Sequence, residues 1–449
     1  MNSTSLKSAP PALFRWGVLF FISLAMFGNY YIYDSISPVA DLLKQQLGFS
    51  DTNIGTLNAI YSIPNVIMVL IGGIIIDRIG TKKAALLFSV LMMSGGFITA
   101  AQGNLVTMAV GRLVFGLGAE SMIVAITTAI ARWFRGKELS FAFGLNLTIA
   151  RLGSFMALNS PSWGKTFYTS WHGPLWFAAL TGIISVVCLS IYWWLDRYAE
   201  RNYELQPEGK QDKVLLSEIF NFSKSYWFIC ALCITFYSAM FPFQTFAVKF
   251  FQEVHGESRE IGGFLSSILT LSAMFATPLF GLLSDRIGKR SLLMMCGSVL
   301  ILPVYLLMAY KIDITGGLGL ASKAHIVIPF MSINVILSTN LLIPMAMMGL
   351  AFSLIPAIMW PSVALVVEQG KLGTAYGLMT MIQNIGLAGF NLLIGWANDV
   401  SHAGATNPGG YHLGMWIFSS LGIFGFFFAL MLRINERGPN SHGLEKGQA

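Results

Sequence analysis

Four ionisable side chains stand inside stretches that are otherwise apolar: Asp34, Arg112, Glu120 and Arg151. A charge at the centre of a bilayer costs about 2.5–3.5 kcal/mol even on the lenient insertion scale, so each needs a partner, water or a bound solute. Glu120 and Arg151 each lie about 11 residues from the same end of their runs, which at 1.5 Å per helical residue puts both ~16 Å deep. An acid and a base at one level suit a zwitterion. Glu120 could meet an ammonium, and Arg151 could hold a carboxylate through two parallel hydrogen bonds, which a lysine would not supply. A plain Glu120–Arg151 ion pair between neighbouring helices is the competing reading. Asp34 and Arg112 fall nearer the opposite end of their runs. They are expected to pair and brace that part of the bundle, with independent titration as the alternative.

Aromatic and amide side chains could wall such a site. Tyr30, Tyr33, Tyr61, Tyr237, Phe241 and Trp360 combine apolar bodies with, in most cases, polar tips. Asn58, Asn65, Gln383 and Asn384 offer amides able to meet a peptide backbone. Trp360 precedes Pro361, whose kink would open backbone beside a cavity. Packing is the plain alternative for each of these aromatics. The six histidines fall outside the apolar runs, so any proton coupling would rest on Glu120 or Asp34.

These residues need long helices to hold them, and the composition supplies them. The chain has 449 residues, of which 55% are hydrophobic and 11% charged, more apolar than a water-exposed surface allows. This excludes a nucleic-acid enzyme, a disulfide scaffold and a disordered chain. Twelve apolar runs are expected near 16–40, 54–76, 83–102, 105–131, 140–161, 173–195, 225–250, 261–284, 290–310, 341–367, 373–397 and 411–432. The first continues too long for a cleavable signal segment. The four cysteines all lie in apolar runs, so Cys230-x-x-Cys233 reads as packing and not as a redox pair.

With the N-terminus inside, twenty of the 28 Lys and Arg fall in interior segments and six, including Lys249 and Arg259, in exterior ones. That bias places both termini in the cytoplasm. The expected organisation is a cytoplasmic N-terminus (1–15), a six-helix bundle (16–195), a charged linker (196–224), a second six-helix bundle (225–432) and a cytoplasmic C-terminus (433–449).

The chain also repeats itself. Gly73-Ile-Ile-Ile-Asp77-Arg78-Ile-Gly80 closes the second run, and Gly281-Leu-Leu-Ser-Asp285-Arg286-Ile-Gly288 closes the eighth, 208 residues later. Twelve runs with this duplicated loop resemble the major facilitator superfamily. The resemblance implies an all-α integral membrane protein of two pseudo-symmetric six-helix bundles. It implies too that Asp77, Arg78, Asp285 and Arg286 serve a cytoplasmic gate, the carboxylate lying near a helix N-terminus, where it is physically favoured. Stabilising a tight turn is the competing role. Further stretches narrow the resemblance: Tyr33-Asp34, Tyr61-Ser-Ile-Pro64-Asn65, Gly111-Arg112 through Glu120-Ser121, Ala150-Arg151-Leu-Gly153, Phe241-Pro242, Trp360-Pro361 and Gln383-Asn384. Together they are similar to the branch called major facilitator superfamily domain-containing protein 1, which moves dipeptides across the lysosomal membrane in animals. Residues 311–340 depart from that branch as an added exterior segment.

The expected function is secondary transport of small zwitterions, dipeptides foremost, by alternating access, either as a uniporter or coupled to protons. Substrate contacts would come from Glu120, Arg151, Trp360, Tyr33, Tyr61, Asn65, Tyr237, Phe241, Gln383 and Asn384. Amino acids, sugar acids or other organic anions are the alternative cargo, and a non-transporting receptor or assembly partner is the alternative class. No metal cluster, phosphate loop or nucleophile constellation suggests an enzyme, a metal or a cofactor. The partners implied are a small solute and the bilayer, not nucleic acid. The transport unit is expected to be a monomer, and an accessory subunit is suggested by the resemblance alone. No Asn-x-Ser/Thr sequon falls in an exterior loop, which favours a bacterial inner membrane over a lysosomal one.

Overall fold

A computed structural model describes residues 9–134, 138–205, 221–328, 333–368, 371–439 and 441–446. Most of the charged linker (206–220) and the outermost termini therefore lie outside the described residues. The first half runs α1 (Ala12–Asp34), α2 (Ala40–Leu47), α3 (Asp51–Ile79), α4 (Thr81–Ala101), α5 (Leu105–Trp133), α6 (Leu139–Leu158), α7 (Ser160–Trp163) and α8 (His172–Asn202). The second runs α9 (Lys224–His255), α10 (Arg259–Ile287), α11 (Arg290–Ala309), α12 (Thr315–Leu318), β1 (Lys323–Ile328), β2 (Ile333–Ser338), α13 (Thr339–Val366), α14 (Leu372–Val400) and α15 (His412–Arg437). Among the described residues, 11 helical stretches are long and apolar enough to cross a membrane, with α1 and α2 read as one; α3, bent by 57° between Met68 and Ile71, makes a twelfth.

Several helices begin where a side chain takes up a free backbone N–H. Ser50, Asn104, Ser223 and Ser258 each accept a bond from the amide three residues on. In the first half, α1 packs on α6 and α8, α4 on α5 and α8, and α3 on α5. In the second, α13 packs on α10 and α11, and α15 on α9 and α11. The halves meet along α3 against α14 and α6 against α10. The α1–α6 approach is close because Gly153 has no side chain: a Cβ there would stand 2.2 Å from the Phe27 carbonyl oxygen.

Three boundaries differ from expectation. The linker was expected from Asp196, but α8 continues to Asn202. Asp196 is buried and accepts hydrogen bonds from Lys82 (3.1 Å), Arg132 (3.2 Å) and Trp133 (3.0 Å), so the charge is satisfied inside the bundle. Lys249, expected in an exterior segment, lies within α9 and is fully buried. The C-terminal segment does not simply leave the bundle. α15 continues to Arg437, and residues 441–446 fold back, with Leu444 buried and its carbonyl accepting from the Arg290 amide.

Residues 311–340 add the one β-structure among the described residues. β1 and β2 pair antiparallel, with Ala324 opposite Leu337 and Ile326 opposite Val335. Leu337 is buried, and Ile326 and Val335 pack against the core of the second half, while Val327 and Ile336 face outwards. The expected all-helical membrane domain is present, with this hairpin as an exterior addition.

Candidate functional site

A cavity of about 220 Å³ lies between the halves, lined from α1, α3, α5 and α6 on one side and α9, α13 and α14 on the other. It is smaller than the ~300–1,000 Å³ typical of pockets for drug-sized ligands, so it suits a small solute. Of the ten proposed substrate contacts, Glu120, Arg151, Trp360, Tyr33, Tyr61, Tyr237, Phe241, Gln383 and Asn384 line it. Asn65 does not, but it stands behind the wall and donates to Asn384 across the two halves at 3.4 Å.

Each charge in the cavity is held by aromatic neighbours. The Tyr61 hydroxyl donates to Glu120 Oε1 at 3.0 Å. The Arg151 guanidinium carbon lies 5.4 Å from the Tyr30 ring centre and 5.3 Å from that of Phe352, a cation between two π faces. Among the described residues, Glu120 and Arg151 do not form an ion pair with each other or with another side chain. In the second half, Trp360 donates to the Tyr237 hydroxyl at 2.9 Å, and Tyr237 stacks on Phe241 with centroids 5.7 Å apart. Tyr376 donates to the Trp360 carbonyl at 3.2 Å, just before the Pro361 kink. Tyr33 bridges the halves, packed on Tyr61 (4.8 Å) and edge-on to Phe241 (6.2 Å).

The expected Asp34–Arg112 ion pair is not formed in this conformation. Arg112 is 1% exposed and spends its planar fork elsewhere. It donates to Asn58 Oδ1 (2.6 Å), the Leu57 carbonyl (3.3 Å) and the Ile32 carbonyl (3.4 Å). The Ile32 carbonyl belongs to the last turn of α1, whose free carbonyls are the negative pole of that helix. Arg112 therefore meets α1 through its backbone and not through Asp34. Asp34 instead borders a pocket of about 10 Å³ with Ser37, Asn58, Gln244 and Thr245.

The duplicated loops sit at the C-terminal ends of α3 and α10. Asp77 and Arg78 are exposed there, as are Asp285 and Arg286. Asp285 accepts from Arg290 at 2.7 Å, a contact within its own half. The contacts that tie the halves together cluster at the opposite end of the bundles, the side expected to be exterior from the Lys/Arg bias. Lys249 donates to both oxygens of Asp51, at 2.5 and 2.6 Å, and lies 3.6 Å from Glu253. Lys44 lies 3.5 Å from Asp51, and Asn398 donates to it at 3.0 Å. Asp399 accepts from the Asp51 and Thr52 amides at 2.8 Å each, so its carboxylate caps the N-terminus of α3. Arg259 pairs with Asp41, and Lys165 with Glu260 at 3.1 Å. Asn58, Thr245 and Asn391 form a chain across the halves at 2.9 Å per step. This seam closes that end in the present conformation.

The exterior network and four cavity residues escaped sequence reasoning. Asn29 lines the cavity, as do Thr380, Ile123 and Leu387. Helical spacing held the signal for two of them: Asn29 is one turn before Tyr33, and Thr380 one turn before Asn384, so each shares a face with a residue already singled out.

Two helical bundles packed about a polar cavity are the architecture of an alternating-access transporter. The Major Facilitator Superfamily profile matches residues 21–386, and the chain belongs to that family. It is thus a membrane transporter and not an enzyme. A relative in Bos taurus, named lysosomal dipeptide transporter MFSD1, is 32% identical over 86% of this chain and 80% of its own. Two solved structures share the fold: a bacterial homolog of the human lysosomal transporter Spinster, inward-facing and unoccupied, with TM-score 0.71 at 15% identity over 95% of this chain and 98% of its own, and the nucleoside transporter NupG, with TM-score 0.68 at 15% identity over 93% and 98%.

Proposed function

We propose that the cavity binds small zwitterions, dipeptides foremost, and that the protein carries them across its membrane by alternating access. One observation carries the reading: Glu120 and Arg151 share a small cavity, opposite in charge, without pairing with each other. A buried ammonium and carboxylate would each find a counter-charge there, and the aromatic walls would shield both from water. The Bos taurus relative, named as a dipeptide transporter, supports this cargo at 32% identity.

In the cycle we propose, the exterior seam opens as the cytoplasmic side closes. The loops carrying Asp77, Arg78, Asp285 and Arg286 would then latch the two halves, which correspond to residues 16–195 and 225–432 with the helical extensions described above. We place the protein in a bacterial inner membrane, because its exterior loops lack glycosylation sequons; the relative's name makes a lysosomal membrane the alternative.

The test is a thermal-shift screen of the purified protein against dipeptides, free amino acids and sugar acids, with Glu120→Gln and Arg151→Ala beside it. A solute that binds only the folded protein raises the melting temperature. Dipeptides should stabilise the wild type, and both variants should lose the response. Stabilisation by organic anions that survives Glu120→Gln would discard the zwitterion reading and leave Arg151 as an anion site.

A further inference from the structure

The cavity wall holds one buried polar side chain that the protein leaves unsatisfied. Asn29 is 3% exposed and lines the cavity, and its side-chain amide has no hydrogen-bond partner among the described residues; Oδ1 is screened from the cavity, so the amide N–H is the edge left for a solute. Several of the other lining side chains are committed, while Tyr30 and Tyr33, which are less buried than Asn29, keep free hydroxyls among the described residues. Asn384 donates to the Thr380 carbonyl and accepts from Asn65, Trp360 is bonded to Tyr237, and Tyr61 to Glu120. Gln383 also faces the cavity, but it is partly exposed on a longer, more mobile arm.

The backbone that carries Asn29 is fixed by close packing. The preceding Gly28 lies against α8, where a Cβ would stand 2.7 Å from the Thr181 carbonyl oxygen. Asn29 is followed by Tyr30, whose ring lies beside Arg151. One turn on is Tyr33, packed on the Tyr61 that holds Glu120. The face of α1 that carries Asn29 thus passes both the base and the acid of the cavity.

A carboxamide N–H is a donor that the carbonyl of a peptide group can accept. A dipeptide carries one peptide group between its ammonium and its carboxylate; a free amino acid or a sugar acid carries none. We infer that Asn29 hydrogen-bonds the peptide group of the cargo and so selects dipeptides over zwitterions of the same length that lack one. This rests on the zwitterion reading of Glu120 and Arg151, and adds a subsite to it. A buried polar group left without its partner is penalised, so the selection comes as much from rejecting the wrong solute as from holding the right one.

The probe pair is glycylglycine and δ-aminovalerate, which has the same charged ends and the same number of chain atoms but methylenes in place of the peptide group. Affinities would be measured by calorimetry on the purified wild type, Asn29→Leu and Arg151→Ala. The wild type should bind glycylglycine about tenfold more tightly, the upper range for one net hydrogen bond. Asn29→Leu should bring the two within about twofold, losing glycylglycine affinity and gaining δ-aminovalerate affinity, because the apolar side chain no longer penalises the methylenes. Retained δ-aminovalerate binding also shows the variant is folded; if Asn29→Leu fails to fold, Asn29→Ala takes its place. A preference that survives the substitution overturns the Asn29 assignment and leaves the zwitterion site standing. Glycylglycine binding that survives Arg151→Ala overturns the zwitterion reading, and the Asn29 subsite with it.

Discussion

The exterior seam and the midplane cavity are built from the same groups and use them in opposite ways. At the seam, Asp51 and Lys249 are both almost fully buried and in direct contact, with Lys44, Asn398 and the α3 amides completing the set. In the cavity, Glu120 and Arg151 are partly exposed and face a shared space from separate aromatic mounts. A buried pair within one protein fixes a conformation, because opening it uncovers two charges that must be rehydrated. Uncoupled charges around a small cavity leave their electrostatic demand to a solute. The difference separates the part of the molecule that holds this conformation from the part we propose to recognise a cargo.

The sharpest way to break this comparison is to unpair the seam. Lys249→Met leaves Asp51 buried with only Lys44 as a nearby cation. Removing one partner of a buried pair costs about 3–5 kcal/mol. The exterior-closed state should therefore lose stability, with a lower melting temperature and faster labelling of a cysteine placed at Ser37, which packs at the seam on the Gln244 carbonyl. The double variant Asp51→Asn with Lys249→Met should recover most of the loss. Losses that simply add would mean the two residues act independently and the seam is not a latch.

A smaller effect is expected at Arg112, which belongs to neither class. It is buried and unpaired with a carboxylate, yet satisfied by two carbonyls and the Asn58 amide. Arg112→Lys keeps the charge and loses the fork, at about 1.5–3 kcal/mol for hydrogen bonds to a charged group. The exchange Asp34→Arg with Arg112→Asp should not rescue either single change. If it restores stability, Asp34 and Arg112 are partners in a conformation other than this one.

What was legible in the chain follows from which costs are large. The membrane spans could be read because apolar length acts over whole segments. Glu120 and Arg151 stood out because a charge deep in an apolar run needs an explanation. Asn29 did not, since an uncharged amide in such a run raises no alarm until its surroundings show that nothing bonds it. Lys249 and Asp51 lie near helix ends, where charges ordinarily reach water, and only the packing of α9 against α3 shows them buried together. Asp196 misled for the reverse reason. It opened a charged stretch and so read as linker, whereas Lys82 and Arg132 meet it inside the bundle. The hairpin was hidden by its setting, six residues per strand between two membrane helices.

The least effect is expected where a carboxylate meets open water. Asp313, in the exterior segment before α12, accepts from the Thr315 hydroxyl (2.7 Å), the Thr315 amide (3.0 Å) and the Asn340 side chain (3.0 Å). Those bonds favour the ionised form and hold its carboxyl at about 2, below its ordinary 3.8. The sign follows from linkage. A depressed folded value contributes stability above the ordinary value, and that contribution is lost as pH falls from about 4 towards about 2. Because the group is solvent-exposed, the change should stay local: the amides of Thr315 and Gly316 should lose protection from hydrogen exchange across that window, after correction for intrinsic rates. Asp313→Asn should show the same loss already at neutral pH, without altering solute binding in the cavity. Equal protection in the variant and the wild type would mean that Asn340, which also accepts from the Ile314 amide at 2.9 Å, orders this turn without the carboxylate.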